Sequence, residues 1–268
     1  MVYCLYDVAG GTLYKSSSTR HTIAFWILKG GYTMIDQVIT PPVVGNPGSS
    51  YFFVKRLIDT VLATLLLIFL SPLLLVIAIL IKLDSPGQVI FVQSRVGAKR
   101  QLAGRHRRWE IQTFRIYKFR SMYSDADQAL HQAHIRAYTL GQLEITNASS
   151  PTFKLTDDPR VTRVGRILRK TSLDELPQLV NVLKGEMSLV GPRPIPVYEF
   201  EDYQERHKQR FAALPGITGL WQVKGRCLVS FEEQIQMDIE YVRNQSLWLD
   251  LKILLLTIPA VLSGRGAG

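Results

Sequence analysis

Cysteine is scarce in this sequence. The 268 residues include only Cys4 and Cys227, which lie far apart. Their spacing excludes a disulfide framework and a zinc site of the usual cysteine pattern. The first residues lack the basic-then-apolar order of a cleaved secretory signal, and no internal repeat is visible. We therefore expect the folded part to work in a reducing compartment, the cytoplasm.

Acidic residues are in the minority, with 22 Asp and Glu against 32 Lys and Arg, and the net charge is +10. Hydrophobic residues make up 47% and charged residues 20%, which excludes a disordered chain and allows a sizeable core. The positive charge favours anionic partners, namely nucleic acid, a phosphorylated substrate or an acidic membrane surface.

Charge is absent from Thr60 to Ile81, where sixteen of the 22 residues are Leu, Ile, Val or Phe. At about −0.4 kcal/mol each, these residues favour the membrane by about 6 kcal/mol. A helix in a soluble core is the alternative, but uncharged runs of this length are typical of membrane segments. We therefore expect membrane insertion.

Ser71 and Pro72 lie at the middle of this run. Proline removes the hydrogen bond to the carbonyl of Ile68 and kinks a helix, and a serine hydroxyl can bond the freed carbonyl. Each arm would be about 14–17 Å long, half of a hydrocarbon core of about 30 Å. Basic residues flank both ends, whereas a spanning helix usually carries the excess at one end. These features favour a re-entrant helix-break-helix, and a single spanning helix stays the alternative.

The remaining pattern predicts an α/β fold, mostly helical with a small β-hairpin. Two short strands, Val89–Val92 and Phe114–Phe119, would be joined through a loop at Gly97–Gly104. Helices are expected at Asp125–Leu140, Val161–Arg169, Leu173–Leu183 (ended by Gly185), Tyr198–Ala213, Phe231–Arg243 and Trp248–Leu262. The last helix is expected to lie in the membrane interface. Residues 1–50 carry turn residues and predict a weakly structured extension.

The adjacent Asp174 and Glu175 form the sharpest local feature. One interpretation is structural, because Ser172-x-x-Glu175 matches a capping box with Ser172 as the N-cap. The other is chemical: an ionised Asp can attack phosphorus without a base, and Glu beside it suits Mg²⁺, which prefers carboxylate and phosphate oxygens. Basic residues at positions 163, 166, 169 and 170 lie just upstream. Both interpretations stay open on these residues alone.

Arg193 lies between Pro192 and Pro194. The prolines fix the backbone and present the guanidinium at low entropic cost, which suits bidentate phosphate contact. A merely rigid turn is the alternative. Between Arg95 and Arg120, nine Lys and Arg residues stand against one acid, which predicts a surface that attracts anionic lipid. A plain solvated face is the alternative for that block.

Taken together, these pieces resemble the bacterial sugar transferase family, the monotopic polyprenyl-phosphate phosphoglycosyl transferases. The matching segments are 55–59 (KRLID), 71–72 (SP), 82–87 (KLDSPG), 93–97 (QSRVG), 114–122 (FRIYKFRSM), 156–160 (TDDPR), 172–178 (SLDELPQ), 191–194 (GPRP), 215–226 (PGITGLWQVKGR) and 247–253 (LWLDLKI). The resemblance covers residues 52–264. It implies transfer of a sugar 1-phosphate from a nucleotide sugar, usually UDP-linked, to undecaprenyl phosphate, which starts a surface glycan.

The resemblance also implies roles for single residues. Asp174 corresponds to the nucleophile and Glu175 to its partner in Mg²⁺ binding and acid–base work, so both are catalytic and metal candidates. The candidates for binding substrate or phosphate are Lys118, Arg169, Arg193, Arg226 and Asp238. Ser71 and Pro72 match the break of the family's re-entrant helix.

The implied organisation is an extension of unknown role at 1–50, a re-entrant membrane helix at 51–84 and a cytoplasmic catalytic domain at 85–268. The protein is expected to be monotopic, on the cytoplasmic face of the bacterial inner membrane. The expected partners are a UDP-sugar, undecaprenyl phosphate and anionic lipids, without nucleic acid, and a homodimer is left open. Two alternatives remain: a direct ternary-complex transfer in which Asp174 only binds metal, and a membrane-tethered binder of anionic polymer.

Overall fold

The computed structural model describes residues 5–6, 12–13, 37–39, 47–103, 106–124, 133, 136–139, 158–224 and 229–262. The chain divides into two compact units, Met1–Asp36 and Gln37–Gly268. In the first unit, strands β1 (Leu5–Tyr6) and β2 (Thr12–Leu13) pair antiparallel. The predicted Asp125–Leu140 helix lies largely outside the described residues, of which 133 and 136–139 are helical.

The long apolar run forms helix α1, Ser49–Asp84, of 36 residues. Among the described residues it is the one helix long and apolar enough to cross a membrane, by length and composition. Its helical structure continues through Pro72, so the predicted division into two arms is not seen as an interruption. The hydroxyl of Ser71 donates to the carbonyl of Ile68 over 2.8 Å, which is the contact expected at a proline.

The first part of α1 packs on the folded unit through charged side chains. The Nζ of Lys55 lies 2.9 Å from the buried carboxylate of Asp250, which also accepts hydrogen bonds from the hydroxyls of Tyr51 and Tyr241. Asp59 accepts a hydrogen bond from the backbone N–H of Leu189 over 3.1 Å. These bonds satisfy the Asp250 carboxylate and one oxygen of Asp59, groups that would be costly to bury alone.

The last part of α1 packs on the same unit through apolar side chains. Ile77 and Ile81 form a buried cluster with Phe119 and Leu168. Between these two contact regions, every residue from 64 to 76 is partly or fully exposed. Both parts of α1 are therefore held by the second unit, while its middle is not.

A four-stranded sheet forms the frame beside α1, in the order β3-β5-β4-β7. Its strands are β3 (Gln37–Ile39), β4 (Ile90–Ala103), β5 (His106–Phe119) and β7 (Ile195–Pro196), and every neighbouring pair is antiparallel. The predicted hairpin exists, but its strands have 14 residues each, and the predicted loop at Gly97–Gly104 is wrong. Gly97 lies within β4, where glycine leaves room for Pro215, since a Cβ would come within 2.8 Å of that proline ring. The strand β3 shows that residues 1–50 contribute an edge to this sheet.

The helices and the remaining strands complete the unit. Their bounds are α2 (Arg163–Thr171), α3 (Gln178–Lys184), β6 (Ser188–Val190), α4 (Val197–Phe200), β8 (Gly216–Thr218), α5 (Leu220–Lys224), α6 (Phe231–Arg243) and α7 (Leu247–Leu262). The bounds predicted for α6 are confirmed, as is Gly185 as the left-handed C-cap of α3. The predicted Tyr198–Ala213 helix is wrong, because α4 ends at Phe200 and only a 3₁₀ helix, Glu205–Phe211, follows.

The buried guanidinium of Arg120 caps the C-terminal end of α1. It donates hydrogen bonds to the backbone carbonyls of Ile81, Ser85 and Pro86. We expect Arg120→Lys to lower the free energy of unfolding by about 2 kcal/mol, because lysine cannot make these bonds together. Thermal unfolding of the purified protein in detergent measures this. The exposed Arg108 supplies the control, since Arg108→Lys should leave the midpoint unchanged, and equal midpoints for both variants would contradict the assignment.

Candidate active site

A sharp reversal of the chain presents Asp174 and Glu175. Helix α2 ends at Ser172, which has the left-handed conformation with φ of 59°, and a 3₁₀ turn at Leu173–Glu175 follows. The predicted capping box is wrong. The side chain of Ser172 makes no capping hydrogen bond to this described turn, and the N–H of Glu175 donates to the backbone carbonyl of Ser172 instead. The carboxylate of Glu175 is thereby free to turn away from its own helix.

Glu175 lies between two cations. Its Oε1 is 2.7 Å from the Nζ of Lys118 and 2.6 Å from Nη2 of Arg193, and its Oε2 is 3.3 Å from Nη1 of the same arginine. Burial raises the pKa of this carboxyl, but the charges of Arg193 and Lys118 outweigh it and hold the pKa well below its usual value. Glu175 is therefore ionised at neutral pH. We call Lys118, Glu175 and Arg193 the charge cluster.

Asp174 lies at the edge of the charge cluster. Its residue surface is 9% exposed, and its Oδ2 is 3.9 Å from the Nζ of Lys118. At this distance the ammonium attracts the carboxylate without a direct hydrogen bond to it. Lys118 thus lies near both carboxylates of the pair.

Helix α3 and strand β5 fix the distance between the turn and Lys118. Asn181 is fully buried, and its amide donates to the carbonyl of Arg115 over 2.7 Å while its Oδ1 accepts from the N–H of Tyr117 at 3.1 Å. One side chain thereby satisfies two backbone groups of β5 and pins the helix that follows Glu175 against the strand that carries Lys118.

The segment 191–194 holds Arg193 against the charge cluster. The N–H of Gly191 donates to the carbonyl of Thr218, and the N–H of Gly216 donates to that of Pro192, each over 2.9 Å. A Cβ on Gly191 would overlap with the carbonyl oxygen of Leu214, so glycine is required for this approach. Two backbone bonds and the ring of Pro192 therefore restrain the segment up to the peptide bond that precedes Arg193.

Arg95 lies close to the segment that carries Arg193, because it pairs with Pro196 across strands β4 and β7. Its Nη1 lies 3.4 Å from the carbonyl of Pro194. Burial and the charge of Arg193 lower the pKa of Arg95 to about 10. Two guanidinium groups side by side favour an anionic group such as a phosphate.

A buried layer lies behind Arg193. Asp238 in α6 is 1% exposed, and its Oδ2 is 2.5 Å from Nη2 and 2.9 Å from Nε of Arg210. Burial raises the pKa of Asp238 to about 6, although Arg210 opposes that rise. Asp238 therefore contacts the site through Arg210. Its predicted role in binding substrate stays a prediction.

Arg169 and Arg226 are the remaining residues that were predicted to bind substrate or phosphate. Arg169 lies half-buried in the last turn of α2, and Arg226 lies outside the described residues. Among residues that received no individual role from the sequence, Arg160 makes a bidentate contact with Asp158 at 2.8 and 2.7 Å. Arg95 and Arg160 fall within segments that match the family. No local sequence pattern marked Arg210 as a functional residue, because it lies in the charged stretch that was interpreted as a helix.

The donor set of the turn fits a magnesium ion. Among the described residues, no group of three or more His, Cys, Asp and Glu side chains could hold a metal. Mg²⁺ needs fewer protein ligands, since one or two carboxylates with substrate phosphates and waters are its usual set. Because Oε1 of Glu175 faces two cations at close range, whereas Oε2 has only the longer contact of 3.3 Å with Arg193, Asp174 and Oε2 of Glu175 are the oxygens that suit it best.

The chain is similar to known proteins over most of its length. The family model described as "Bacterial sugar transferase" matches residues 50–264. The galactosyl transferase CpsE of Streptococcus agalactiae is 41% identical over 219 residues, 81% of this chain and 44% of CpsE. The exopolysaccharide production protein ExoY of Sinorhizobium fredii is 42% identical over 213 residues, 80% of this chain and 87% of ExoY.

A further relative is named for its lipid acceptor. The undecaprenyl-phosphate galactose phosphotransferase of Salmonella typhimurium is 43% identical over 216 residues, 80% of this chain and 42% of that protein. The chain thus spans under half the length of CpsE and of the Salmonella protein, but most of ExoY. Because the family match runs over residues 50–264 and contains the whole charge cluster, this chain belongs to the bacterial sugar transferase family.

Proposed function

We propose that this protein transfers a sugar 1-phosphate from a UDP-sugar to undecaprenyl phosphate, and that Asp174 carries the sugar phosphate between the two. The first part is supported by relatives named for undecaprenyl-phosphate sugar transfer. The second part is supported by one observation: the Asp174 carboxylate lies at the edge of the charge cluster, 3.9 Å from the Nζ of Lys118.

The first displacement forms a bond between an Asp174 carboxylate oxygen and the β-phosphorus of the donor. The bond from that phosphorus to the bridging oxygen breaks, and UMP leaves with the oxygen and its electron pair. In the second displacement an oxygen of undecaprenyl phosphate bonds to the same phosphorus. The aspartyl–phosphorus bond breaks, which regenerates Asp174 and yields undecaprenyl diphosphosugar.

The charge cluster supplies the electrostatic part of this reaction. Lys118 places a positive charge 3.9 Å from Asp174, and Arg193 places a second one on the neighbouring Glu175, so both can stabilise negative charge on the transferring phosphoryl group. The ionised Glu175 orients both cations. When bound by Asp174 and Glu175, Mg²⁺ would neutralise further phosphate charge.

The same proposal places the protein on the cytoplasmic face of the membrane, with α1 re-entrant. Support comes from the contacts of α1: residues near Lys55 and residues near Ile81 pack on the same folded unit, while 64–76 are exposed. A helix crossing a hydrocarbon core of about 30 Å would carry one of these contact regions to the other side. The exposed Trp248, Leu251 and Leu255 of α7 add an apolar surface suited to the interface.

If Asp174 is the nucleophile, enzyme given labelled UDP-sugar and Mg²⁺ without lipid acceptor should release UMP and keep the sugar phosphate on the protein. A panel of UDP-galactose, UDP-glucose and UDP-N-acetylgalactosamine identifies the donor. Hydroxylamine should remove the label, as for an acyl phosphate, and Asp174→Asn should abolish adduct and turnover because an amide is a poor nucleophile. Turnover by Asp174→Asn, or label mapped to another residue, would favour direct transfer in a ternary complex.

Arg193→Lys should not be conservative. Lysine keeps the charge but loses the planar fork that meets both oxygens of Glu175. Loss of an aligned contact in the transition state should cost about 2–4 kcal/mol, roughly 30- to 1,000-fold in rate. Steady-state UMP release measures this, and near-normal activity would show that segment 191–194 is only a structural turn.

Cysteines placed at both ends of α1 test the re-entrant arrangement. Ser50 and Gln88 are exposed in the structure, just outside the two contact regions. In a background with Cys4 and Cys227 replaced by serine, Ser50→Cys and Gln88→Cys should both resist an impermeant maleimide in intact cells and both react in inside-out vesicles. Opposite labelling of the two positions would contradict the arrangement, and a cysteine in a known periplasmic protein controls for permeability.

A further inference from the structure

Arg210 is an arginine whose donors all meet protein groups in the interior. It is 3% exposed, on the 3₁₀ helix Glu205–Phe211. Its Nε and Nη2 donate to Oδ2 of Asp238, at 2.9 and 2.5 Å, and its Nη1 donates to the hydroxyl of Tyr203 at 2.7 Å. Nη2 also donates to the backbone carbonyl of Arg193 over 2.9 Å.

The last of these bonds connects the buried layer to the charge cluster. The carbonyl of Arg193 points to Arg210, while its side chain holds Glu175 at 2.6 Å. Upstream, Gly191 is tied to Thr218. The proline rings of 192 and 194 restrict their own φ angles, so the orientation of the peptide between them depends on what binds that carbonyl. Arg210 is the group that binds it.

Stability alone is a poor reason for this arrangement. Burying an arginine and a carboxylate costs desolvation energy that their attraction repays only with excellent geometry and full satisfaction of the remaining oxygens. Oδ1 of Asp238 is buried and receives no hydrogen bond from the residues that the structure describes. A well-packed apolar pair would stabilise this layer at least as well, but it would leave the carbonyl of Arg193 without a donor.

We propose that Arg210 is a positioning residue for the transfer reaction: oriented by Asp238, it fixes the Arg193 carbonyl and thereby the guanidinium that faces Glu175 and the donor phosphates. The proposal rests on the function proposed above. It assigns Arg210 an effect that passes entirely through Arg193. It also gives Asp238 a defined part, since its carboxylate determines where Arg210 points.

A double-mutant cycle of Arg210→Lys and Arg193→Lys tests this, with UMP release as the readout. Arg210→Lys keeps the charge but cannot reach Asp238, Tyr203 and the Arg193 carbonyl together, so kcat/KM should fall by about 30- to 100-fold, the scale of a misplaced catalytic group. In the Arg193→Lys background the same change should have an effect of less than about 3-fold, because the group that it positions is already lost.

The matched control is Arg206→Lys. Arg206 lies on the same 3₁₀ helix with its side chain 60% exposed, and it should tolerate the change in both backgrounds. Melting temperatures confirm that each variant is folded at the assay temperature. Losses for Arg210→Lys that multiply with those of Arg193→Lys would overturn the positioning role, since a purely structural defect lowers activity equally in both backgrounds.

Asp238→Asn is the second arm, should Arg210→Lys fail to fold. It keeps the shape of the side chain and weakens the orientation of Arg210, so we expect a loss of about 10-fold that disappears in the Arg193→Lys background. A loss of equal size in both backgrounds would overturn the proposal. An inactive parent enzyme would overturn the proposed function together with this inference, whereas an active parent with independent losses would overturn the inference alone.

Discussion

The ion contacts of Glu175 are the interaction on which the rest of the site depends. They join three parts of the chain that are distant in sequence: strand β5 through Lys118, the turn after α2 through Glu175, and segment 191–194 through Arg193. Because Glu175 stays ionised, it holds Lys118 near Asp174 and Arg193 against its own carboxylate, and its single charge does not neutralise both cations. A diphosphate carries the same sign of charge as Glu175 and can share these cations. The cluster is therefore assembled before any phosphate has to be bound.

Helix α1 is part of the same construction. Its two contact regions pack on one folded unit, and the first does so through Lys55 and Asp250, a buried pair completed by two tyrosine hydroxyls. Arg56 adds hydrogen bonds to the carbonyls of Val182 and Leu183 at the end of α3. Since α3 also pins the turn that carries the carboxylates, helix α1 and the charge cluster share one helix as a support. In the proposed function, a donor from the cytosol and an acceptor in the lipid meet at this junction.

Local patterns predicted the parts of this molecule that local forces determine. The uncharged run became α1, helix α6 starts at Phe231 as expected, and Gly185 ends α3. The family resemblance named Lys118 and Arg193 as candidates for binding phosphate, and in the structure Lys118 lies near both Asp174 and Glu175 while Arg193 contacts Glu175.

The errors have a common physical cause, because tertiary contacts overrode a local preference. Ser172 adopts the left-handed conformation and does not cap the following turn. The carboxylate of Glu175 contacts Lys118 and Arg193, two cations that are distant in sequence. Residues 198–213 have a helical pattern, but the α-helix ends at Phe200 and a 3₁₀ helix follows, while Glu199, Tyr203 and Arg210 join one buried polar layer. Arg210 meets Asp238 at a separation of 28 positions, which no short motif encodes.

The covalent role of Asp174 is tested most directly by isotope exchange. Enzyme is mixed with UDP-sugar, labelled UMP and Mg²⁺, with no lipid acceptor present, and the label in UDP-sugar is followed. A carrier aspartate makes the first displacement reversible on its own, so label should enter the UDP-sugar pool, and Asp174→Asn should abolish this exchange. Exchange that appears only after undecaprenyl phosphate is added would contradict the two-displacement account.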